Sequence, residues 1–181
     1  MGCVAMAGYN RIRYRLSRNA LILFVGINPH HGSYRRAVPF SNNKTFWYIL
    51  NRSGVINENL SDLRDDAKLR KVYDSLASKY RVNFINLVDR PTRDVSELRR
   101  GEEQNGNERL VRAIARYKPG MVCFVGKITY QKFTGKSRVT YGFKERICGA
   151  QVYVARFPLR GRMSVRVREM RMLIGRARSL R

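Results

Sequence analysis

Short apolar runs that do not alternate with polar residues constrain this chain more than any other feature. Leu21–Val25 is apolar at every position, and Val82–Val88, Met121–Val125 and Gln151–Ala155 are further strand-length runs, apolar apart from Asn83, Asn86 and Gln151. A strand without apolar–polar alternation buries both of its faces, and a sheet is covered on both faces where helices cross over it. The intervening segments supply those helices. About Lys44–Arg52, Phe46, Ile49 and Leu50 share a face; Asn42 or Asn43 can cap this helix and Gly54 ends it. Over Asp66–Lys79 the stripe is Leu69, Val72 or Tyr73, and Leu76; over Asn107–Tyr117 it is Leu110, Val111 and Ile114, stopped by Pro119-Gly120. A short helix spans Lys127–Phe133. The last runs from Met163 to near Leu180, with Met163, Val167, Met170, Ile174 and Ala177 on one side.

Strands alternating with helices predict an α/β fold: a single-domain sandwich whose central, mainly parallel four-stranded sheet is flanked by helices. Residues 1–18 read as a basic lead-in and 19–181 as the domain. Residues 57–65, 93–107 and 134–144 are polar and read as connections.

Charge sets the expected partner. The chain carries 37 Lys and Arg against 13 Asp and Glu, a formal net charge of +24. Such a protein repels itself unless it meets a polyanion, so nucleic acid leads and a membrane surface follows. No apolar run is long enough to span a bilayer, and residues 1–20 lack the apolar core of a leader. Cys3, Cys123 and Cys148 are isolated, which points to incidental thiols in a reducing cytoplasm and to no metal centre. A monomer without cofactor is expected, associated with the nucleoid of a prokaryotic-type cytoplasm.

Parallel strands place their exits on one edge, where open α/β sheets bind ligands. Here those exits are Asn28, Asp89, Gly126 and Phe157. Gly26 frees the backbone after the first strand and Pro29 fixes it beyond Asn28. His30 and His31, the basic pair Arg35 and Arg36, and Phe40 crowd the same loop.

Gly26-Ile27-Asn28-Pro29 resembles the first active-site motif of the uracil-DNA glycosylase superfamily, in the form used by its mismatch-specific uracil and thymine branch. Val38-Pro39-Phe40 with Thr45-Phe46-Trp47 is similar to that family's pocket aromatic and first helix. Leu87-Val88-Asp89-Arg90-Pro91-Thr92 matches its LVDRPT segment, and Val125-Gly126-Lys127 its third strand exit. The resemblance covers about residues 20–175. One motif departs: the family's second loop reads Asn-Pro-Ser-Gly-Leu or Met-Pro-Ser-Ser-Ser, whereas here Phe157-Pro158-Leu159-Arg160-Gly161-Arg162 stands. That departure bears on how the flipped nucleotide and the opposite base are held.

The resemblance implies hydrolysis of a glycosidic bond after the nucleotide is flipped from duplex DNA containing a damaged or mismatched base. Asn28 is the expected catalytic residue, its amide oxygen orienting a water. Gly26, Ile27, Pro29, Phe40 and Asn86 are expected to form the base pocket, with Phe40 stacking on the base. In the Phe157–Arg162 loop, Leu159 or Arg160 is the candidate wedge and Arg162 a phosphate contact. Arg35, Arg36, Lys136 and Arg138 are further phosphate candidates. His30 and His31 lack an acidic or Cys partner and read as solvent- or phosphate-facing. Asp89 reads as a structural ion pair or cap rather than a general base. Two competing readings are a non-catalytic nucleic-acid-binding protein on the same scaffold and a glycosylase for another base such as hypoxanthine.

Overall fold

The computed structural model describes residues 12–158 and 161–180. Its centre is a sheet of β1 (Ile22–Gly26), β2 (Val82–Asn86), β3 (Met121–Val125), β4 (Gly142–Ile147) and β5 (Ala150–Ala155), in the order β2-β1-β3-β5-β4. The first three and β5 are parallel; β4 runs antiparallel to β5. Among the described residues seven α-helices surround it: α1 (His31–Arg36), α2 (Thr45–Arg52), α3 (Leu60–Arg64), α4 (Asp66–Lys79), α5 (Gln104–Tyr117), α6 (Lys127–Thr134) and α7 (Met163–Ser179).

The apolar runs are explained by two cores, one on each face. Ile22 and Phe24 point into a cluster with Trp47, Leu69, Phe84 and Leu173, beneath α2, α4 and α7. Leu23 and Val25 point the other way, to Leu110, Ile114, Val122 and Phe124 beneath α5. Every residue of β1, β2 and β3 is therefore buried. The one polar residue inside β2 ahead of its exit is satisfied: Asn83 donates to the carbonyl of Ser17 at 2.9 Å and accepts from Ser17 N–H at 3.1 Å. Residues 12–18 are thus laid against the domain. Ile12 is buried and Arg15 pairs with Asp74 at 3.1 Å.

The sheet has one strand more than expected. β4 lies inside and just beyond the segment read as a polar loop, and it forms a hairpin with β5 through Cys148 and Gly149, both at positive φ. Its Lys144-Glu145-Arg146 run erases any apolar signal, because an edge strand on this sheet buries little. The same charges protect the free edge from pairing with another chain. The other polar connections also hold short structure: α1 after Pro29, α3 within 57–65, and a 3₁₀ turn at Val95–Glu97.

Helix α5 comes unusually close to the exit of β2. A Cβ on Gly106 would stand 1.7 Å from the Leu87 carbonyl oxygen, so only glycine allows this contact. Gly175 in α7 is the opposite case, with open space around it. Gly106→Ala is expected to lower unfolding free energy by about 1–3 kcal/mol through overpacking. Gly175→Ala should raise it by up to about 1 kcal/mol. Urea unfolding of the two variants checks both signs.

Candidate active site

The reversal of strand order lies between β1 and β3, and a cleft of about 480 Å³ opens there. Gly26, Ile27, Asn28, Pro29 and His30 from the β1 exit line it, with Phe40, Asn86, Gly126, Phe157 and Pro158. The expected pocket residues therefore come together at one place.

The loops after β1 and β2 are stitched together beyond the ends of their strands. Leu87 N–H donates to Gly26 O at 3.0 Å, Val88 N–H to Ile27 O at 2.8 Å and Thr92 N–H to Pro29 O at 3.2 Å. Across this seam the half-buried Asn28 side chain is fixed. Its Nδ2 donates to Thr92 Oγ1 at 2.7 Å and lies 3.3 Å from the carbonyl oxygens of Arg90 and Pro29. Thr92 Oγ1 gives its own proton to Asp94 O at 2.7 Å, so towards Asn28 it accepts. With three acceptors around one atom, that atom must be the amide nitrogen. The amide oxygen is left as the end of Asn28 without a protein partner among the described residues.

Phe40 is held under strain. Its φ is 53°, in the left-handed region that a bulky aromatic avoids. The turn around it is pinned by Trp47 Nε1 donating to Pro39 O at 2.9 Å and Ser41 N–H donating to Ser33 Oγ at 3.0 Å. The ring stacks on Phe46 with centroids 4.8 Å apart at 26°. Gly26 makes room for it: a Cβ there would stand 2.8 Å from Phe40 Cζ and 2.2 Å from Asn86 Oδ1. Gly26 is thus required by close approach rather than by its φ. Asn86 is buried, and burial pushes the pKa of the neighbouring Tyr14 up.

Asp94 is the acidic residue lining the cleft, and it caps the 3₁₀ turn by accepting from Ser96 N–H at 2.8 Å; Asp89 and Glu102, outside that lining, are engaged in ion pairs. Asp89 takes a two-point pair from Arg109, at 2.6 and 3.0 Å, and Arg109 also donates to Asn86 O at 2.7 Å. Arg90 makes a similar two-point pair with Glu102 at 2.7 and 2.8 Å. Arg90 beside it, with Arg99 N–H, holds the Glu102 carboxyl down at about 2.

His30 caps α1, its Nδ1 accepting from Gly32 N–H at 3.2 Å. Desolvation, and then His31, Arg93 and Arg35 nearby, lower its pKa, which favours the neutral ring with the proton on Nε2. Among the described residues no three His, Cys, Asp or Glu side chains form a metal-binding group. Arg36 is not available for phosphate as expected: it pairs with Asp66 at 2.8 Å and donates to Gly32 O. Arg35, Lys136 and Arg138 are exposed.

In the second loop, Phe157 is exposed and Pro158 buried. Leu159 and Arg160, the wedge candidates, lie outside the described residues. Gly161 has φ 85° and abuts Arg166, and Arg162 is exposed at the start of α7. Beneath the loop the buried Arg166 pairs with Glu169 at 2.9 Å, and Tyr153 donates to the same carboxylate at 3.1 Å. Burial and that carboxylate push Tyr153 up to about 12. Arg93, Ile128 and Tyr141 also line the cleft and carried no signal in the sequence: Arg93 and Tyr141 stand in irregular polar segments and Ile128 in the first turn of α6.

Comparison with known protein families matches residues 14–169 to the uracil DNA glycosylase superfamily. The chain belongs to that superfamily. Membership implies N-glycosylase chemistry on a DNA substrate, and the cleft at the β1 and β3 exits is where the superfamily-like segments of this chain converge. No helix among the described residues is long and apolar enough to cross a membrane.

The Arg90–Glu102 pair carries a pH dependence. Because the folded carboxyl titrates near 2 rather than at its ordinary 4.5, its stabilisation is complete above about pH 4.5 and is lost as pH falls towards 2. In urea unfolding, wild type should exceed Glu102→Gln in stability at pH 6, and the gap should shrink steadily between pH 4.5 and 2.

Proposed function

We propose that this protein is a monofunctional DNA glycosylase that hydrolyses the glycosidic bond of uracil, and of thymine, flipped out of a mismatch with guanine. The observation that carries the reading is the anchored amide of Asn28. An asparagine that merely closed a turn would not need its nitrogen fixed to Thr92 on a loop 64 residues away.

The chemistry follows from the geometry. Phe40, backed by Phe46, offers a rigid ring to a planar base at the cleft wall. Asn86 lines the same space and supplies polar contacts to the base edge. With Nδ2 tied back, Asn28 Oδ1 accepts a hydrogen bond from a water and turns its oxygen towards the anomeric carbon. The bond from that carbon to the base nitrogen breaks with its electron pair going to the base, and the water oxygen takes its place on the sugar. The water's proton goes to solvent, and the base leaves as an anion that backbone N–H groups around Ile27 and Asn28 stabilise. A neutral amide offers an oxocarbenium-like sugar less than a carboxylate would, so turnover is expected to be slow.

Single-turnover base release from duplexes carrying U·G, T·G, U·A and hypoxanthine tests the reading. Uracil release from U·G faster than from U·A, with slower thymine release from T·G, is the expected order. No release from any duplex at saturating protein would overturn it and leave a DNA-binding protein on the same scaffold. Thr92→Val should separate positioning from binding: the release rate falls at least about tenfold while DNA affinity is kept, because the variant removes the shortest of the three contacts that hold the Asn28 amide. Its stability should drop by about 1–3 kcal/mol, since Asp94 O and Asn28 Nδ2 lose a buried partner.

A further inference from the structure

Two cations from different strand exits meet on one aromatic ring at the rim of the cleft. Lys127 Nζ stands 4.4 Å from the ring centre of Tyr141, and Arg156 Cζ stands 5.1 Å from it. The topology brings them together. β4 is antiparallel, so it begins at the edge where the other four strands end, and Gly142 is in register with Val154 of β5. Tyr141, just before β4, therefore lies beside Arg156, just after β5, while Lys127 leaves β3 next door.

We propose that Tyr141 organises Lys127 and Arg156 into a two-cation clamp for one phosphodiester of the DNA strand that enters the cleft. In a chain of net charge +24, two neighbouring cations repel, and the ring's negative face offsets only part of that cost. No carboxylate lies within ion-pair distance of Lys127 among the described residues. The one nearest Arg156, Glu169 at 3.8 Å, already takes bonds from Arg166 and Tyr153. The N terminus of α6 opens at the same place, and no side chain caps it. An anion completes this arrangement. The apolar rim around it identifies the anion as a phosphodiester rather than a free phosphate: Ile128, Tyr141 and Phe157 are 48%, 39% and 42% exposed along the cleft wall, where a sugar or base edge would lie. Tyr141 is here a positioning residue, acting through the two cations.

The proposal rests on the glycosylase reading only for which strand lies in the cleft. Its test is a binding measurement that needs no turnover. Fluorescence anisotropy follows a labelled duplex with a tetrahydrofuran abasic analogue opposite guanine, over a series of KCl concentrations. Tyr141→Leu keeps the bulk and loses the π face; it should weaken binding by about fivefold or more and flatten the slope of log K against log salt by about one. Tyr141→Phe keeps the face and should stay within about twofold of wild type. In the Lys127→Gln/Arg156→Gln background, Tyr141→Leu should add little, because nothing is left to position. An unchanged affinity and slope in Tyr141→Leu overturns the clamp, and so does a Tyr141→Phe variant as weak as Tyr141→Leu. Thermal unfolding confirms that each variant is folded. Base release by wild type in the same buffer reports on the glycosylase reading separately, so either idea can fail while the other stands.

Discussion

The candidate site depends on a seam of hydrogen bonds that continues the β1–β2 pairing past the ends of both strands. Gly26, Ile27 and Pro29 each offer a carbonyl to an N–H of the facing loop, and the last of these bonds sets Thr92 against Asn28. Two separate ion pairs, Asp89 with Arg109 and Arg90 with Glu102, brace that facing loop from outside. Neither carboxylate is free to act as a base. The carboxylates of Asp89 and Glu102 therefore act by fixing backbone, while Asn28, at the cleft itself, keeps its amide oxygen unengaged among the described residues.

Close packing around glycine does the rest of the positioning. Without a side chain at Gly26, Phe40 and Asn86 converge on one spot; without one at Gly106, α5 sits directly on the β2 exit and carries Arg109 to Asp89. Phe40 keeps a left-handed backbone that costs on the order of 1–3 kcal/mol, and the bonds from Trp47 and Ser41 hold it there. A residue whose only task was core packing would not need that conformation. Strain at this position and order at its neighbours are two sides of the same arrangement.

The sheet was legible in the sequence because its strands are buried on both faces, and that leaves apolar runs no loop would tolerate. β4 was not, since an edge strand buries little and its Lys-Glu-Arg run looks like a loop. The place of the site followed from topology, and Gly26 to Pro29, Phe40 and Asn86 do meet there. What stayed hidden depended on contacts between distant residues. Nothing local marks Thr92 as the partner of Asn28, Glu102 as the partner of Arg90, or Tyr141 as the meeting point of two cations. Arg36 misled for the same reason: its carboxylate partner, Asp66, lies on another helix.

The account turns on the amide oxygen of Asn28, and one comparison tests that most directly. Base release from a U·G duplex is measured under single turnover for wild type and Asn28→Ala, with affinity for the same duplex measured alongside. The expected result is a fall of about a hundredfold or more in the rate, with affinity kept within a few-fold. A variant that binds as well and releases uracil within tenfold of the wild-type rate would contradict the account, and the group that activates water would have to be sought elsewhere in the cleft.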